Sequence, residues 1–285
     1  MTSAGVLDSP LSTGVHLSGA AADLTLVRRS RNELMDEAGI SGFVDLHCHL
    51  LPGLDDGPAE AQLSSRMAER AMRSGTLAII ATPHSSSRYK FSVENRDREM
   101  NEMLRSLRGR IDIFTGCEVE LSPEGLVPVW HDPAAAAINR GPYLLVEAPT
   151  YGFASSLNVA IPRLRELRLR PILAHPERLA ADNRNVAIAA RRDGLLFQVT
   201  AGALTGAMGA RIQRVAWKLL EQGVVEFIAS DGHDSTRRPP DLAPAFHLTA
   251  CRFGPAAAAD LFTWNPLAVL GQAEPNASAT ATSGS

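Results

Sequence analysis

Seven short apolar runs, rich in residues that favour β-strands, recur along the chain and constrain its fold more than any other feature. They lie at Phe43–His47, Leu77–Thr82, Asp112–Gly116, Tyr143–Glu147, Pro171–His175, Leu195–Thr200 and Val225–Ser230. Helical periodicity is found at Ala59–Ser74, Val93–Arg108, Ser155–Leu169, Val186–Asp193, Met208–Gln222 and Ala243–Phe253. Strands and helices in alternation predict an α/β fold with parallel strands. Seven repeats without a dinucleotide-type glycine loop favour a closed or distorted barrel over an open sheet.

Length and composition are those of a soluble globular protein. The chain has 285 residues, of which 45% are hydrophobic and 21% are charged. A net charge of −3 gives no reason to expect nucleic acid or an anionic membrane as a partner. We find no apolar run long enough to span a membrane and no signal peptide. Three cysteines without a CxxC pair favour a reducing cytoplasm.

The two ends of the chain differ in composition from its middle. Residues 1–40 are rich in Ser, Thr, Gly and Ala, with one predicted helix at Ala22–Glu37, and residues 272–285 are of low complexity. We therefore expect a partly disordered N-terminal extension at 1–40, a folded domain at 41–271 and a disordered tail at 272–285. The sequence leaves open whether the chain forms homo-oligomers.

Six of the seven predicted strands end at or near a residue that can bind a metal ion. These residues are His47, His49, His84, Glu118, Glu147, His175, Asp231 and His233. Barrel enzymes build their sites at the C-terminal ends of the strands, so we expect the eight side chains to meet. Asp55 or Asp56 follows the first strand in a loop bounded by Gly and Pro, and can join them. By contrast, His16, His131 and His247 lie away from the strand ends and are interpreted as surface or packing residues.

With Asp56, the set contains nine ligands, five imidazoles and four carboxylates. Nine ligands are generous for two ions and sufficient for three, because one ion takes about four to six and two ions can share a carboxylate. The set has only nitrogen and oxygen donors and no thiolate, which favours Mn²⁺, with Fe or Zn²⁺ as alternatives. Two divalent ions would balance the charge of the four carboxylates and three would exceed it, so the filled site would be neutral to positive and suited to a phosphate.

The ordered motifs resemble those of a known superfamily. Asp-Leu-His-Cys-His with Asp-Asp-Gly-Pro, Ala-Thr-Pro-His84, Gly-Cys-Glu118-Val-Glu, Leu-Leu-Val-Glu147, Ile-Leu-Ala-His175-Pro-Glu-Arg178 and Ile-Ala-Ser-Asp231-Gly-His233 are similar to the polymerase and histidinol phosphatase (PHP) superfamily. Within it they resemble the CpsB/CapC group of bacterial manganese-dependent protein-tyrosine phosphatases, which are linked to capsule and exopolysaccharide synthesis. The resemblance covers about residues 43–270.

This resemblance implies a distorted (β/α)₇ TIM-like barrel, a trinuclear metal centre and hydrolysis of phosphomonoesters by metal-activated hydroxide. It places the metal ligands on the nine residues above, with Asp56 the better match of the acidic pair, and the phosphate-binding arginines on Arg178 and Arg238. Arg237 could replace Arg238. The implied substrate is a phosphotyrosyl protein, such as an exopolysaccharide tyrosine kinase. Tyr89, Phe91, Tyr151 and Phe153 are predicted to lie in loops after metal-bearing strands, where they could stack on its phenol ring.

Other classes of protein fit the sequence less well. A cysteine-type phosphatase needs Cys-x₅-Arg, but Leu54, Pro123 and Ala257 stand six positions after the three cysteines. We therefore expect Cys48 to pack on the strand face opposite its histidine neighbours. Many amidohydrolases carry a carbamylated lysine at a strand end, and neither lysine of this chain ends a strand. A histidinol-phosphatase-like enzyme for a small metabolite, and a non-catalytic metal-bound partner of a capsule kinase, remain as alternatives.

Overall fold

The computed structural model describes residues 29–271, so most of the predicted N-terminal extension, including His16, and all of the tail lie outside it. The strands are β1 (Phe43–Cys48), β2 (Thr76–Ala81), β3 (His84–Ser85), β4 (Asp112–Thr115), β5 (Glu118–Glu120), β6 (Tyr143–Glu147), β7 (Arg170–Ala174), β8 (Leu196–Thr200) and β9 (Phe227–Ala229). Each of the seven predicted strands is confirmed to within two residues. The runs are found easily because parallel strands are buried on both faces and are apolar throughout.

The sequence missed the short strands β3 and β5. They follow β2 and β4 along the chain, after a break at Thr82–Pro83 and at Gly116–Cys117, and belong to the other sheet. Pro83 has no N–H to donate to a neighbouring strand. A Cβ at Gly116 would lie 3.0 Å from the side chain of Ile80, so the backbone approaches its neighbour closely there. The two interruptions place His84 and Glu118 beside each other as a β3–β5 pair.

All strand pairs within the described residues are parallel, as predicted. One sheet has the order β1–β2–β4 and the other the order β3–β5–β6–β7–β8–β9. The chain after β9 runs beside the end of β1: Cys48 and Gly232 form a parallel bridge, and the His49 N–H donates to the Gly232 carbonyl over 2.9 Å. The first strand is therefore bonded to the segment that follows the last one, and the C-terminal strand ends face one region.

Helices connect the strands. They are α1 (Arg31–Ala38), α2 (Ala61–Ser74), α3 (Val93–Leu107), α4 (Val127–His131), α5 (Pro133–Ala136), α6 (Phe153–Glu166), α7 (Ala181–Ala190), α8 (Ala201–Leu204), α9 (Ala210–Glu221), α10 (Ala243–Phe253), α11 (Pro255–Ala259) and α12 (Asn265–Gly271). The glycine predicted to end α2, Gly75, has the left-handed conformation of a helix C-cap. The sequence analysis missed α4, α5, α8, α11 and α12, which are too short to show a helical period. No described helix is long and apolar enough to cross a membrane.

The helices pack on the sheets, and apolar side chains from both form the core between them. Phe43 at the start of β1 packs against Phe246 and Phe262, with ring centroids 5.0 and 5.9 Å away. Cys48 is fully buried among apolar side chains such as Leu50 and Met67, as the sequence predicted. Burial raises the pKa of its thiol well above the usual value, which disfavours the nucleophilic thiolate form.

Candidate metal centre

His47 and His49 lie at the end of β1 and point to the same side, because alternate residues of a strand share a face. Both side chains are buried, and their Nε2 atoms are only 3.1 Å apart. Two imidazole nitrogens that face each other at this distance need a proton or a cation between them, since two lone pairs repel. Their arrangement is that of a pair of metal ligands.

Glu118, at the start of β5, reaches the centre of the cluster. Its Oε2 atom lies 3.2 Å from His47 Nε2, 3.2 Å from His49 Nε2 and 3.2 Å from His84 Nδ1. None of these contacts has the geometry of a hydrogen bond, and this fully buried oxygen has no hydrogen-bond partner among the described residues. A buried carboxylate oxygen without a hydrogen bond is costly unless a cation is bound to it. Three nitrogens around one orphaned oxygen suit the coordination shell of a metal ion.

The other predicted ligands join this centre. Glu118 Oε1 lies 2.8 Å from His175 Nε2, and Glu147 Oε1 lies 3.0 Å from His84 Nδ1. The candidate ligand atoms form four overlapping groups, within each of which they lie no more than 4.8 Å apart. The groups are His49, Asp56, His84 and His233; His47, His49 and Asp231; His47, Glu118 and His175; and His84, Glu118 and Glu147. All nine predicted residues are therefore gathered at one place.

Asp55 and Asp56 take different positions in the cluster. Asp56 Oδ1 lies 3.4 Å from both His84 Nε2 and His233 Nε2, whereas Asp55 Oδ2 lies 2.7 Å from His49 Nδ1, on the outer side of that ring. The close turn depends on Gly57, where a Cβ would lie 2.5 Å from the His49 carbonyl oxygen. Asp56 thus faces the ligand atoms, and Asp55 orients His49.

Gln198 is a site residue that the sequence analysis missed. It lies on β8, the one predicted strand without a ligand, and its Oε1 lies 2.9 Å from His47 Nδ1. An amide oxygen can only accept, so the bond places the proton on Nδ1 and leaves Nε2 free for a metal. The signal was a fully buried polar residue in an otherwise apolar strand.

Two of the predicted ligands have unusual backbone conformations. His175 follows β7 with φ of 39°, and Asp231 follows β9 with φ of 52°. Residues other than glycine avoid this left-handed region, and such conformations concentrate at functional sites. Here the sharp change of direction brings the side chains of both residues back over the strand ends.

Two histidines of the cluster have pKa values shifted in opposite directions: that of His84 is raised and that of His233 is lowered. Burial lowers the pKa of His84, but the carboxylates of Asp56 and Glu147 outweigh it and raise the pKa to about 10. Burial and the positive charge of His49 lower the pKa of His233 to about 4. Protons therefore supply part of the positive charge that the carboxylates require, and a divalent cation can replace them.

Arg178 and Arg238 meet on the far oxygen of Asp231. The Nη2 atoms of both donate to Asp231 Oδ2, in the case of Arg238 over 2.7 Å. Asp231 Oδ1, by contrast, lies 3.5 Å from Nε2 of both His47 and His49. Arg237, the alternative to Arg238, is 91% exposed and lies beside Asp234. The geometry favours Arg238.

The four aromatic residues proposed for a phenol ring do not share one surface. Phe153 is only 2% exposed and belongs to the core at the start of α6, so its predicted position in a loop beside the site is wrong. Tyr151 is 87% exposed, and Phe91 packs against the core and beneath Arg96. Tyr89 alone contacts a predicted ligand, His84, on which it stacks at 5.6 Å. His131 is exposed, and His247 is half-buried beside Cys251, both away from the cluster.

A family model described as "Capsular polysaccharide synthesis, CpsB/CapC" matches residues 43–271. The chain belongs to the CpsB/CapC family. The resemblance to the CpsB/CapC group, inferred from the motifs, is thereby confirmed.

Relatives in the CpsB/CapC family share moderate identity over most of their length. The chain is 30% identical over 224 residues to the tyrosine-protein phosphatase YwqE of Bacillus subtilis, covering 74% of this chain and 85% of the relative. It is 23% identical over 239 residues to the tyrosine-protein phosphatase CpsB of Streptococcus pneumoniae, covering 80% of this chain and 98% of the relative.

Solved structures of other proteins superpose on this chain and show a similar fold. Crystal structures described as those of YwqE and CpsB, "unique metal-dependent tyrosine phosphatases", include a chain that superposes with a TM-score of 0.70 at 27% identity, covering 81% of this chain and 95% of that one. The L-hydantoinase of Arthrobacter aurescens superposes with a TM-score of 0.53 at 15% identity, covering 82% and 72%, and is similar in fold alone. The CpsB/CapC chain therefore has a mixed α/β fold with parallel strands.

Proposed function

We propose that this CpsB/CapC-family chain is a metal-dependent protein-tyrosine phosphatase. Residues 41–271 are its phosphoesterase domain, a distorted (β/α)₇ barrel of the PHP type. The observation that carries the proposal is the buried Glu118 Oε2, with three imidazole nitrogens at 3.2 Å and no hydrogen bond. The names of the relatives supply the substrate class, a phosphotyrosyl protein.

The donor set fits two or three divalent ions held by His47, His49, Asp56, His84, Glu118, Glu147, His175, Asp231 and His233. Oxygen and imidazole donors suit Mn²⁺, with Fe or Zn²⁺ as alternatives. Such ions supply hydroxide at neutral pH and neutralise the charge of a phosphate monoester.

The chain's own residues orient the reaction. Asp55 and Gln198 hold His49 and His47 through the ring nitrogens that face away from the cluster. Arg178 and Arg238 present guanidinium groups at the border of the cluster, where they can grip two phosphate oxygens and stabilise the charge of the transition state. A phosphate oxygen can take the place of Asp231 Oδ2 as their acceptor.

The proposed biological role follows the family description, capsular polysaccharide synthesis. The substrate would be a phosphorylated tyrosine on an exopolysaccharide tyrosine kinase, hydrolysed in the cytoplasm. The closely packed arginines and metal ligands specify only a phosphomonoester, so the leaving group has to be tested directly.

The test compares kcat/KM for a phosphotyrosyl peptide, a phosphoseryl peptide and histidinol phosphate, with Mn²⁺ and after treatment with EDTA. We expect the phosphotyrosyl peptide to be preferred and activity to disappear with the chelator. Preference for histidinol phosphate would show a small-molecule phosphatase. Absence of turnover with all three, in protein that binds metal, would show a non-catalytic partner protein.

A further inference from the structure

A cavity of about 500 Å³ adjoins the two candidate phosphate-binding arginines. Its wall comes from residues 200–208, which follow β8, from residues 230–244, which follow β9, and from Arg70 on α2. Asp231 and Arg238 are part of this wall. A volume of about 500 Å³ is ordinary for a site that receives a small organic group.

The cavity is continuous with the arginine side of the site. Arg178 Nη2 lies 3.2 Å from Thr200 Oγ1 and 3.9 Å from Met208 Sδ, and both of these residues line the cavity. A phosphate held by Arg178 and Arg238 would therefore carry its ester group next to Met208. A thioether makes favourable contacts with an aromatic ring, and the prolines Pro239 and Pro244 add further apolar surface.

The other side of the cluster offers less room for a ring. Tyr89 is stacked on His84 with an interplanar angle of 10°, and the Arg88 guanidinium lies 5.0 Å from the Tyr89 centroid. The contacts of this ring are therefore already made within the chain. The cavity beside Met208 has no such occupant among the described side chains.

We propose that this cavity is the aryl subsite of the enzyme, in which the phenol ring of a phosphotyrosyl side chain lies against Met208. The proposal rests on the proposed phosphatase function and assigns a place to the leaving group. It also accounts for how the site distinguishes an aryl phosphate from an alkyl phosphate, because a seryl side chain cannot fill the cavity.

Gly202 provides a way to fill the cavity. It lies on α8 and lines the cavity, and a Cβ there would be 3.8 Å from Met208 Cγ and 4.0 Å from Ala207 Cβ. These are ordinary contact distances, so Gly202→Ala should fold normally, and Gly202→Leu should project into the space for the ring. Ala207→Leu is a second filling variant at an exposed position, where folding is not at risk. Ser87→Leu is the matched control, since it adds a leucine at an exposed position of the loop after β3.

The experiment measures kcat/KM for a phosphotyrosyl peptide, together with calorimetric dissociation constants for phenylphosphonate and methylphosphonate, all with Mn²⁺. We expect Gly202→Leu and Ala207→Leu to weaken phenylphosphonate binding and lower kcat/KM by about tenfold or more, the effect of losing the burial of an aromatic ring. Methylphosphonate binding should not change, and Ser87→Leu should behave as the wild type.

Equal effects on the two phosphonates, or no effect on either, would overturn the aryl subsite while leaving the phosphatase function intact. A wild-type protein without activity on any phosphomonoester would instead overturn the proposed function, and this result is read independently of the variants.

Discussion

The two halves of the site are built in different ways, although they share Asp231. Most ligands of the proposed metal half are largely buried side chains at strand ends, with the loop residue Asp56, 42% exposed, as the exception. Glu118 and His47 are fully buried and belong to strands hydrogen-bonded to their neighbours. The arginine half lies on connecting segments, and the side chains of Arg178 and Arg238 are 28% and 39% exposed. The comparison indicates that the candidate metal ligands are held in a rigid frame, whereas the arginines proposed to meet the substrate keep access to solvent.

Loss of a ligand in the metal half should have the largest effect. His47→Ala, Glu118→Ala, His175→Ala and Asp231→Ala should each lower kcat by several orders of magnitude, because each removes a donor from the centre that supplies the nucleophile. Elemental analysis should show reduced metal content in parallel. A variant with full activity and one fewer ion would remove that residue from the catalytic centre.

Loss of an arginine should have a smaller effect of a different kind. A charge-assisted hydrogen bond is typically worth about 2–3 kcal/mol, so Arg178→Ala and Arg238→Ala should each lower kcat/KM by roughly 30- to 150-fold. Metal content should stay at the wild-type level, which separates this half from the other. Arg237→Ala should have a smaller effect than Arg238→Ala, because its guanidinium lies beside Asp234 and not on Asp231. Arg98→Ala, at an exposed position on α3, is the matched control and should be as active as the wild type.

If Arg237→Ala is impaired and Arg238→Ala is not, the assignment of the phosphate-binding arginine is reversed. If both Arg178→Ala and Arg238→Ala hydrolyse substrate at the wild-type rate, neither arginine binds phosphate. Competition by inorganic phosphate, measured for each variant, reports the same contact without the chemical step.

Removal of the groups that orient the histidines should affect metal affinity. Partners that hold a metal-binding histidine are typically worth about 10- to 100-fold in affinity, so Asp55→Asn and Gln198→Leu should weaken Mn²⁺ binding by this amount. Titration calorimetry on metal-free protein measures it directly. Glu102→Gln, an exposed carboxylate on α3, is the control and should bind Mn²⁺ as the wild type does. If both site variants bind Mn²⁺ with unchanged affinity, the contacts of Asp55 with His49 and of Gln198 with His47 do not contribute to metal binding.

The smallest effect is expected for Cys48→Ser. The thiol is buried against the Gly232 carbonyl, with Sγ 3.6 Å from the oxygen, and takes no part in either half of the site. Activity should stay near the wild-type level, with only a modest loss of thermal stability from burying a hydroxyl group. An inactive Cys48→Ser enzyme with normal metal content would require a covalent mechanism through this cysteine.

Much of the proposed metal half could be predicted from the sequence, because its candidate ligands stand at the ends of strands that local sequence patterns reveal. His47 and His49 are two residues apart in a recognisable strand, and the remaining ligands follow apolar runs that end at one face of a parallel sheet. The parallel order and the strand bounds followed from the same runs. The two breaks in the sheet were not predictable, since Pro83 and Gly116 could equally have ended their strands.

Only the tertiary structure decided which of two adjacent, chemically similar residues faces the candidate site. Asp55 and Asp56 are chemically identical, and only the turn at Gly57 places one behind His49 and the other before His84. Likewise, Arg238 contacts Asp231 at the candidate site, whereas Arg237 lies in solvent beside Asp234. The proposed roles of Gln198 and Met208 rest on contacts with residues far away in sequence, His47 and Arg178. Sequence thus determined which strand ends carry ligands, because side-chain period and apolar runs are local properties. Which of two like residues faces the site depends on long-range packing, which no local pattern records.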